Sequence, residues 1–294
     1  MAAEEAVEGA PRPHQAKPSP RPQRRRIDWL DVATRYSLVL VLIVVFTGFS
    51  IALPDQFFTR DNILGMLNNQ VIILILAMGS VFPLVVGEFD LSIGNIVGFS
   101  QVLVIGLMSK SGLAIPVAIV VAMVAATTAG LVNGILLTYF RASSLIATLA
   151  TGSVLLGLTY WYTGGETLFS NIPVAFTHIA RDSALGVQLP IFYAAALALV
   201  TGFVLTFTLL GRRLHAVGGN RRAAALVGIR VPRVIIFAFM ASGLMAGIAG
   251  VVIGSQLGTG DPALGPDLML PAYAGSFLGA TAFRPGRFTP TSSP

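Results

Sequence analysis

Residues Gly211–Arg233, GRRLHAVGGNRRAAALVGIRVPR, carry six of the nineteen Lys and Arg residues of the chain and stand between two apolar runs, 189–210 and 234–257. Each run is long enough to cross a hydrocarbon core, for which about 20 residues are needed. A basic island between two such runs reads as a loop that emerges from a membrane. Within it, Gly218 and Gly219 break whatever precedes them, and Asn220 is placed to cap a new helix by accepting from the next turn's N–H groups. Ala223, Ala224, Ala225 and Leu226 favour that helix, Gly228 is placed to end it, and Pro232 stops the chain before the next run. A helix of about two turns does not hold itself together in water. It needs a surface to lie on, and the loop is read as a piece that docks onto a partner.

Composition widens this to the whole chain. Of its 294 residues 54% are hydrophobic and 11% charged, with a mean hydropathy of +0.79. Soluble domains carry about 25% charged residues, so the expected class is an all-α, polytopic transmembrane bundle. With no Cys there is no disulfide framework, thiolate metal site or Cys nucleophile. Residues 1–35 form a basic, Pro-rich tail expected to be disordered. The run 36–53 is too long for a signal-peptide core and reads as a retained first helix. Further spans are expected at 63–86, 93–108, 113–137, 145–162, 189–210, 234–257 and, broken by Pro271, 268–283, which makes eight with the first. The third is short and reads as tilted or partly re-entrant.

Charge placement tests this topology. With the tail inside and the spans alternating, sixteen of the nineteen Lys and Arg residues fall inside; only Arg60, Lys110 and Arg181 fall outside. That asymmetry follows the positive-inside rule and orients the N-terminus to the cytosol. It also accounts for the net charge of +6 without any nucleic-acid partner. The outside connections are 163–188 and the turn-rich 258–267 (GTGDPALGPD).

Small residues mark where helices pack. Gly243/Gly247 and Gly250/Gly254 form two G-x-x-x-G pairs in one span, and Gly94/Gly98 and Gly130/Gly134 repeat the spacing in two others. Such faces let backbones approach where lipid supplies no hydrophobic drive; a gating role is the alternative. Glu88 and Asp90 sit between two closely spaced spans, where carboxylates are costly and tend to be functional or paired. Asp90 or Ser92 is placed to cap the third helix, with direct substrate contact as the other reading. Asn133 within a span reads as an interhelical hydrogen bonder or a path residue. Aromatics clustered at the outside ends of spans read as an interfacial belt, and His178 and His215 as surface histidines. No His-Glu-x-x-His or Gly-x-Ser-x-Gly motif occurs, and neither a catalytic residue nor a metal site is expected. No phosphate-binding G-x-x-x-x-G-K-[ST] sequence occurs either, so ATP-driven work requires a separate ATPase.

Two of these stretches resemble a known family. Gly218-Gly219-Asn220, Ala223-Ala224 and Gly228-Ile229 are similar in order and spacing to the coupling loop of ribose-type ABC sugar permeases. Gly87 through Gly94, with Asp90-Leu91-Ser92 at its centre, is similar to that family's Asp-Leu-Ser signature. Further likenesses lie at Val132–Gly134, Ile146–Leu149, Gly157–Thr159 and Tyr162–Gly165, and Phe277–Phe288 closely resembles a subgroup of these permeases. The family often carries acidic residues where this chain has Arg221 and Arg222. The resemblance covers about residues 36–288, within which 211–233 is the coupling loop; residues 289–294 are atypical. Full-length relatives are expected to hold about ten spans, roughly two more than here.

The resemblance implies a bacterial inner-membrane permease subunit of a monosaccharide importer. It implies a separate ATPase binding ATP and magnesium, a second permease copy or homologous chain, and a periplasmic or lipid-anchored sugar-binding protein. Surrounding lipid is the remaining partner, and no cofactor is bound directly. Alternatives are an ion- or proton-coupled secondary transporter, a branched-chain amino acid ABC permease, and a non-transporting remnant.

Overall fold

The computed structural model describes the backbone of residues 29–283 and the side chains of 40–279. The tail up to residue 28, Arg284, Arg287 and the atypical end 289–294 lie outside the described residues. Two units are distinguished, one ending at Thr59 and one beginning at Arg60. In the first, α1 (Trp29–Ala52) already takes up residues 29–35, which the sequence reading assigns to the tail. Trp29, Leu30, Val32 and Ala33 give that stretch an apolar, proline-free start. The turn that follows folds back on the helix end, with Phe57 stacked on Phe49 at 5.4 Å.

The second unit runs α2 (Arg60–Val85), α3 (Ile93–Ser109), α4 (Ile115–Thr138), α5 (Ser144–Thr163) and the short α6 (Val174–Arg181). A two-stranded antiparallel hairpin, β1 (Ser183–Ala184) and β2 (Val187–Gln188), leads into α7 (Leu189–Phe207), α8 (Leu209–Gly219) and α9 (Arg221–Leu226). The chain continues through α10 (Val231–Leu257), α11 (Leu264–Asp267) and α12 (Met269–Phe283). Five helices among the described residues, α2, α4, α5, α7 and α10, are long and apolar enough to cross a membrane. The expected spans 36–53, 93–108 and 268–283 are all helical, but α3 and α12 hold only 17 and 15 residues.

The centre of the unit is α10, the most buried of the long helices, with α4, α2 and α3 packed around it. Its glycines face two partners. A Cβ on Gly243 would lie 2.5 Å from the carbonyl oxygen of Ala126 on α4, and one on Gly247 2.8 Å from the Ala126 side chain. One turn further, a Cβ on Gly250 would lie 2.7 Å from the Val97 carbonyl on α3, while Gly254 sits over Gln101. The small-residue stripe thus brings two helices against α10 at backbone contact, where packing rather than water drives association.

Two segments with irregular backbone enter the bundle, the first of them ending in the single turn α11. Residues 258–267, expected as an outside connection, run back along α3: Gly260 lies against Ile105 and Gly265 against the Gly94 carbonyl and Gly98. From position 105 to 94 on a helix is about 16 Å, so the segment descends about half a bilayer before α12 begins beside Gly94. Irregular backbone is tolerated at such depth only where protein satisfies it. Here Gly260 exchanges two hydrogen bonds with Leu168, at 2.8 and 2.9 Å, and Gln101 Nε2 donates to the Thr259 carbonyl at 2.9 Å. The absence of Cβ atoms on Gly260 and Gly265 is what lets the strand lie this close to α3. The second such segment, 86–92, is the site described below.

The expected span 189–210 also divides. The chain turns at Thr208, whose hydroxyl accepts from the Gly211 amide at 3.2 Å and caps α8. A Cβ on Gly211 would lie 2.2 Å from the Leu205 carbonyl, so only glycine allows so sharp a reversal. α8 then runs through Gly218 and Gly219 to its end; these glycines do not interrupt the segment before them.

Leu185 in the hairpin and Leu226 on α9 are both almost fully exposed, and they flank opposite ends of α2. Arg60, its first residue, donates to the Gly186 carbonyl at 3.0 Å, and Val86, just past its last, accepts from Arg221 at 3.1 Å. The chain has no Cys. Leu185→Cys in spheroplasts should therefore react with a membrane-impermeant maleimide, whereas Leu226→Cys should react only after permeabilisation. Labelling of both from one side would break the topology.

Candidate functional site

The residues of the basic loop and of the Asp-Leu-Ser stretch form two clusters joined by Arg221 and Glu88, whereas the glycines of α10 lie along its contacts with α4 and α3. The first is α8–α9. Asn220 has extended backbone, and its side chain accepts from the Ala223 amide at 3.0 Å, the cap expected of it. Gly228 has φ +84°, a left-handed conformation suited to glycine. There the Gly228 amide donates to the Ala225 carbonyl and the Ile229 amide to the Ala224 carbonyl, both at 3.0 Å, which closes the helix. Ala224 is buried against the bundle, whereas Ala223 and Gly219 are exposed.

Gly218 is pressed so hard against α2 that a Cβ would stand 1.8 Å from the Val85 carbonyl oxygen. Leu214 and Val217 of α8 are fully buried. The residues matched to the family motif thus shape and seat the short helix. What it offers outward was missed from sequence: Leu226 and Val227, 89% and 77% exposed. Beside them Arg213, Arg230 and Arg233, with Val227 and Ile229, line an open cavity of about 390 Å³. For Leu226 the signal was available, because it lies two residues past the inward Ala224 and so on the other side of the helix; Val227 lies just past the end of α9.

The second cluster is the segment 86–92 between α2 and α3. Asp90 and Ser92 are fully buried, as is Asn133 on α4. Asp90 Oδ1 accepts from the Ser92 amide at 3.1 Å and from the Ser92 hydroxyl, and Asp90 Oδ2 accepts from the Ser242 hydroxyl of α10 at 2.7 Å. Asn133 Nδ2 donates to Ser92 Oγ at 2.8 Å. The Tyr273 hydroxyl of α12 accepts from the Asp90 amide at 2.8 Å and donates to the Asp90 carbonyl at 3.0 Å. Leu91 donates its amide to Thr148 Oγ1 of α5 at 3.0 Å. Gly94, one turn on, is the contact point for Gly265.

Helix capping is realised differently from the expectation. Ser92 occupies the N-cap position of α3 but makes no side-chain cap, and Asp90 binds the Ser92 amide instead. Asn133 is the interhelical hydrogen bonder its position suggested. Ser242 and Tyr273 were missed, since a serine and a tyrosine in apolar spans look ordinary until a carboxylate is brought beside them. Among the described residues no cation pairs with Asp90, so hydroxyls and backbone amides carry the stabilisation of the buried group. Among the described residues four buried amide oxygens, of Asn95, Gln101, Asn133 and Gln188, accept no hydrogen bond. No group of three or more metal-ligating side chains occurs among the described residues.

The family described as "Branched-chain amino acid transport system / permease component" matches residues 62–291. The L-arabinose ABC transporter permease protein AraH of Azospirillum brasilense is 34% identical, over 94% of this chain and 82% of its own length. The ribose import permease proteins RbsC of Bacillus subtilis and Haemophilus influenzae are 33% and 31% identical. Those alignments span 90% and 84% of this chain and 82% and 77% of the relatives. The autoinducer 2 import system permease protein LsrC of Salmonella typhimurium is 29% identical over 86% of this chain and 71% of its own length. No solved structure matches the chain. With a bundle of apolar helices, a seated basic loop and this coverage in hand, the chain belongs to the permease-component family of ABC transport systems.

Proposed function

We propose that this chain is the membrane-spanning subunit of an ATP-driven importer for a monosaccharide or a small sugar-like solute. The observation that carries the reading is α9: a helix too short to stand alone, capped by Asn220, closed at Gly228 and seated by Ala224, that holds Leu226 and Val227 in solvent. Exposed leucine and valine on a rigid turn fit an apolar groove, and the surrounding arginines fit an acidic rim. The partner is an ABC ATPase subunit that binds ATP and magnesium. A second permease copy, or a homologous chain, completes the path, and a periplasmic or lipid-anchored binding protein delivers the solute. All eight helical runs lie in the bacterial inner membrane, with the N-terminus and the 211–233 loop cytosolic. The unpartnered amide oxygens of Asn95, Gln101 and Asn133 support a polar interior, since each is open to an O–H donor from water or a sugar. The chain itself carries out no bond chemistry.

Leu226→Asp and Val227→Asp test the docking face. Burying a leucine is worth about 1.5–3 kcal/mol, so either variant should weaken ATPase association roughly ten- to a hundredfold. Copurification of an ATPase bearing the phosphate-binding loop with the tagged wild-type chain, lost in both variants while membrane insertion persists, is the expected result. Undiminished copurification and sugar uptake would remove the docking role. The family's description favours one second reading, a branched-chain amino acid as solute. Competition of labelled leucine against labelled pentoses in the same uptake assay decides between them.

A further inference from the structure

The two clusters are joined, and their junction carries a mechanical role. On its outer side, segment 86–92 is held by the cytosolic helices: Arg221 Nη2 donates to Glu88 Oε1 at 2.6 Å and to the Val86 carbonyl at 3.1 Å. Gly218 packs on the carbonyl of Val85 immediately before it. On its inner side the same segment is bonded to four helices: α4 through Asn133, α5 through Thr148, α10 through Ser242 and α12 through Tyr273. Gly87, at φ +78°, lies between Val86 and Glu88, the two residues that Arg221 holds.

We propose that residues 86–92 are the strut through which movement of α8–α9 reaches the transmembrane core, with Arg221–Glu88 as its outer joint and Asp90 as its inner one. The inference rests on the docking reading above and adds a route to it. A displacement of α9 on the motor subunit pulls the segment by the Arg221–Glu88 pair and the Gly218 contact. Because Asp90 bonds to α10 and α12 at once, the pull is delivered to the central helix and to α12. Coupling of this kind needs packed, bonded elements that move together rather than a long-range field. Glu88, Arg221 and Asp90 are positioning residues here; none contacts solute or nucleotide.

The outer joint is the testable one, because it is half in solvent. The Arg221 side chain is 46% exposed and that of Glu88 15%, so solvent reaches the guanidinium end and screens the pair's contribution to folding. The full complex of permease, ATPase and binding protein is reconstituted in liposomes with Glu88→Arg, Glu88→Gln, Arg221→Glu, and Glu88→Arg combined with Arg221→Glu. ATP hydrolysis is measured beside uptake of a radiolabelled pentose that the wild-type complex imports. In Glu88→Arg, ATPase copurification and basal hydrolysis should stay at wild-type level. Uptake per ATP should fall by about fivefold or more, the lower end of couplings between distant sites.

The charge-swapped double variant should recover at least half of that loss, and Glu88→Gln should fall between Glu88→Arg and wild type. A fall in uptake per ATP with copurification and hydrolysis intact is a result that a merely structural role does not produce, and rescue by the swap shows that the pair itself carries it. Wild-type uptake in Glu88→Arg overturns the strut, as does a loss that the double variant leaves unchanged with the ATPase still bound. Failure of the wild-type chain to retain an ATPase removes the docking reading and the strut with it.

Discussion

Gly130→Val should yield almost no monodisperse protein. Gly130 is where α4 meets α10: a Cβ there would stand 2.2 Å from the Phe239 carbonyl oxygen, 2.9 Å from its carbon and 3.2 Å from the Met240 Cα. All three are backbone atoms of a straight helix, so no flexible side chain can move aside. Overpacking a core costs about 1–3 kcal/mol when neighbouring side chains give way, and more when they cannot. Valine adds two further methyl groups to the clash. The gap must open along the largest helix contact of the unit, and Gly134 and Gly243 lose their close approach with it. Gly157→Val is the control, because nothing lies within 4 Å of a Cβ at that position. Fluorescence-detected size exclusion in detergent compares the two. Equal yields and equal thermal stability would show that α4 and α10 are not held at backbone contact.

Asp90→Ala should lose the transport-competent state, while Asp90→Asn keeps it. Alanine leaves the Ser92 amide, the Ser92 hydroxyl and the Ser242 hydroxyl without their acceptor. A buried donor stranded in this way costs about 1–3 kcal/mol. Removing a desolvated carboxylate offsets part of that, which leaves a net loss of about 3 kcal/mol or more across the three donors. Asparagine preserves the shape and the Oδ1 acceptor, and the Ser242 hydroxyl can rotate to accept from the new amide. Melting temperature and pentose uptake in reconstituted complexes separate the cases. If asparagine fails as completely as alanine, the carboxylate charge rather than its hydrogen bonds is what the bundle requires.

Much of this architecture was legible in the residues. Long apolar runs must be helices in lipid, because no other local conformation pairs every backbone group, and the runs found in the sequence are all helical. Asn220 and Gly228 announced the limits of α9 because capping and left-handed φ are local demands. The glycine pairs announced close packing but not with whom. That Gly243 and Gly247 face α4, while Gly250 and Gly254 face α3, depends on which helices the folded chain brings alongside.

The departures share a cause. The span read as 189–210 ends at Thr208 because Gly211 permits a reversal against Leu205, a contact that hydropathy does not register. The loop read as 258–267 enters the bundle because Gly260 fits against Ile105 and Gly265 against Gly94 and Gly98 of α3, so its polarity marks an irregular backbone satisfied by protein rather than by water. Ser242 and Tyr273 gain meaning only beside Asp90.

What the sequence determined by itself was everything set by solvent and by local backbone freedom. The medium, the helical class, the basic loop and the caps and turns around it all follow from properties that each residue carries with it. What only the tertiary structure decided was pairing: which glycine meets which carbonyl, and that residues 86–92 bond outward to α9 and inward to α4, α5, α10 and α12. Pairing is a property of residues far apart in the chain, and lipid leaves it to packing and hydrogen bonds, because apolar surface gains nothing there by leaving one apolar neighbour for another.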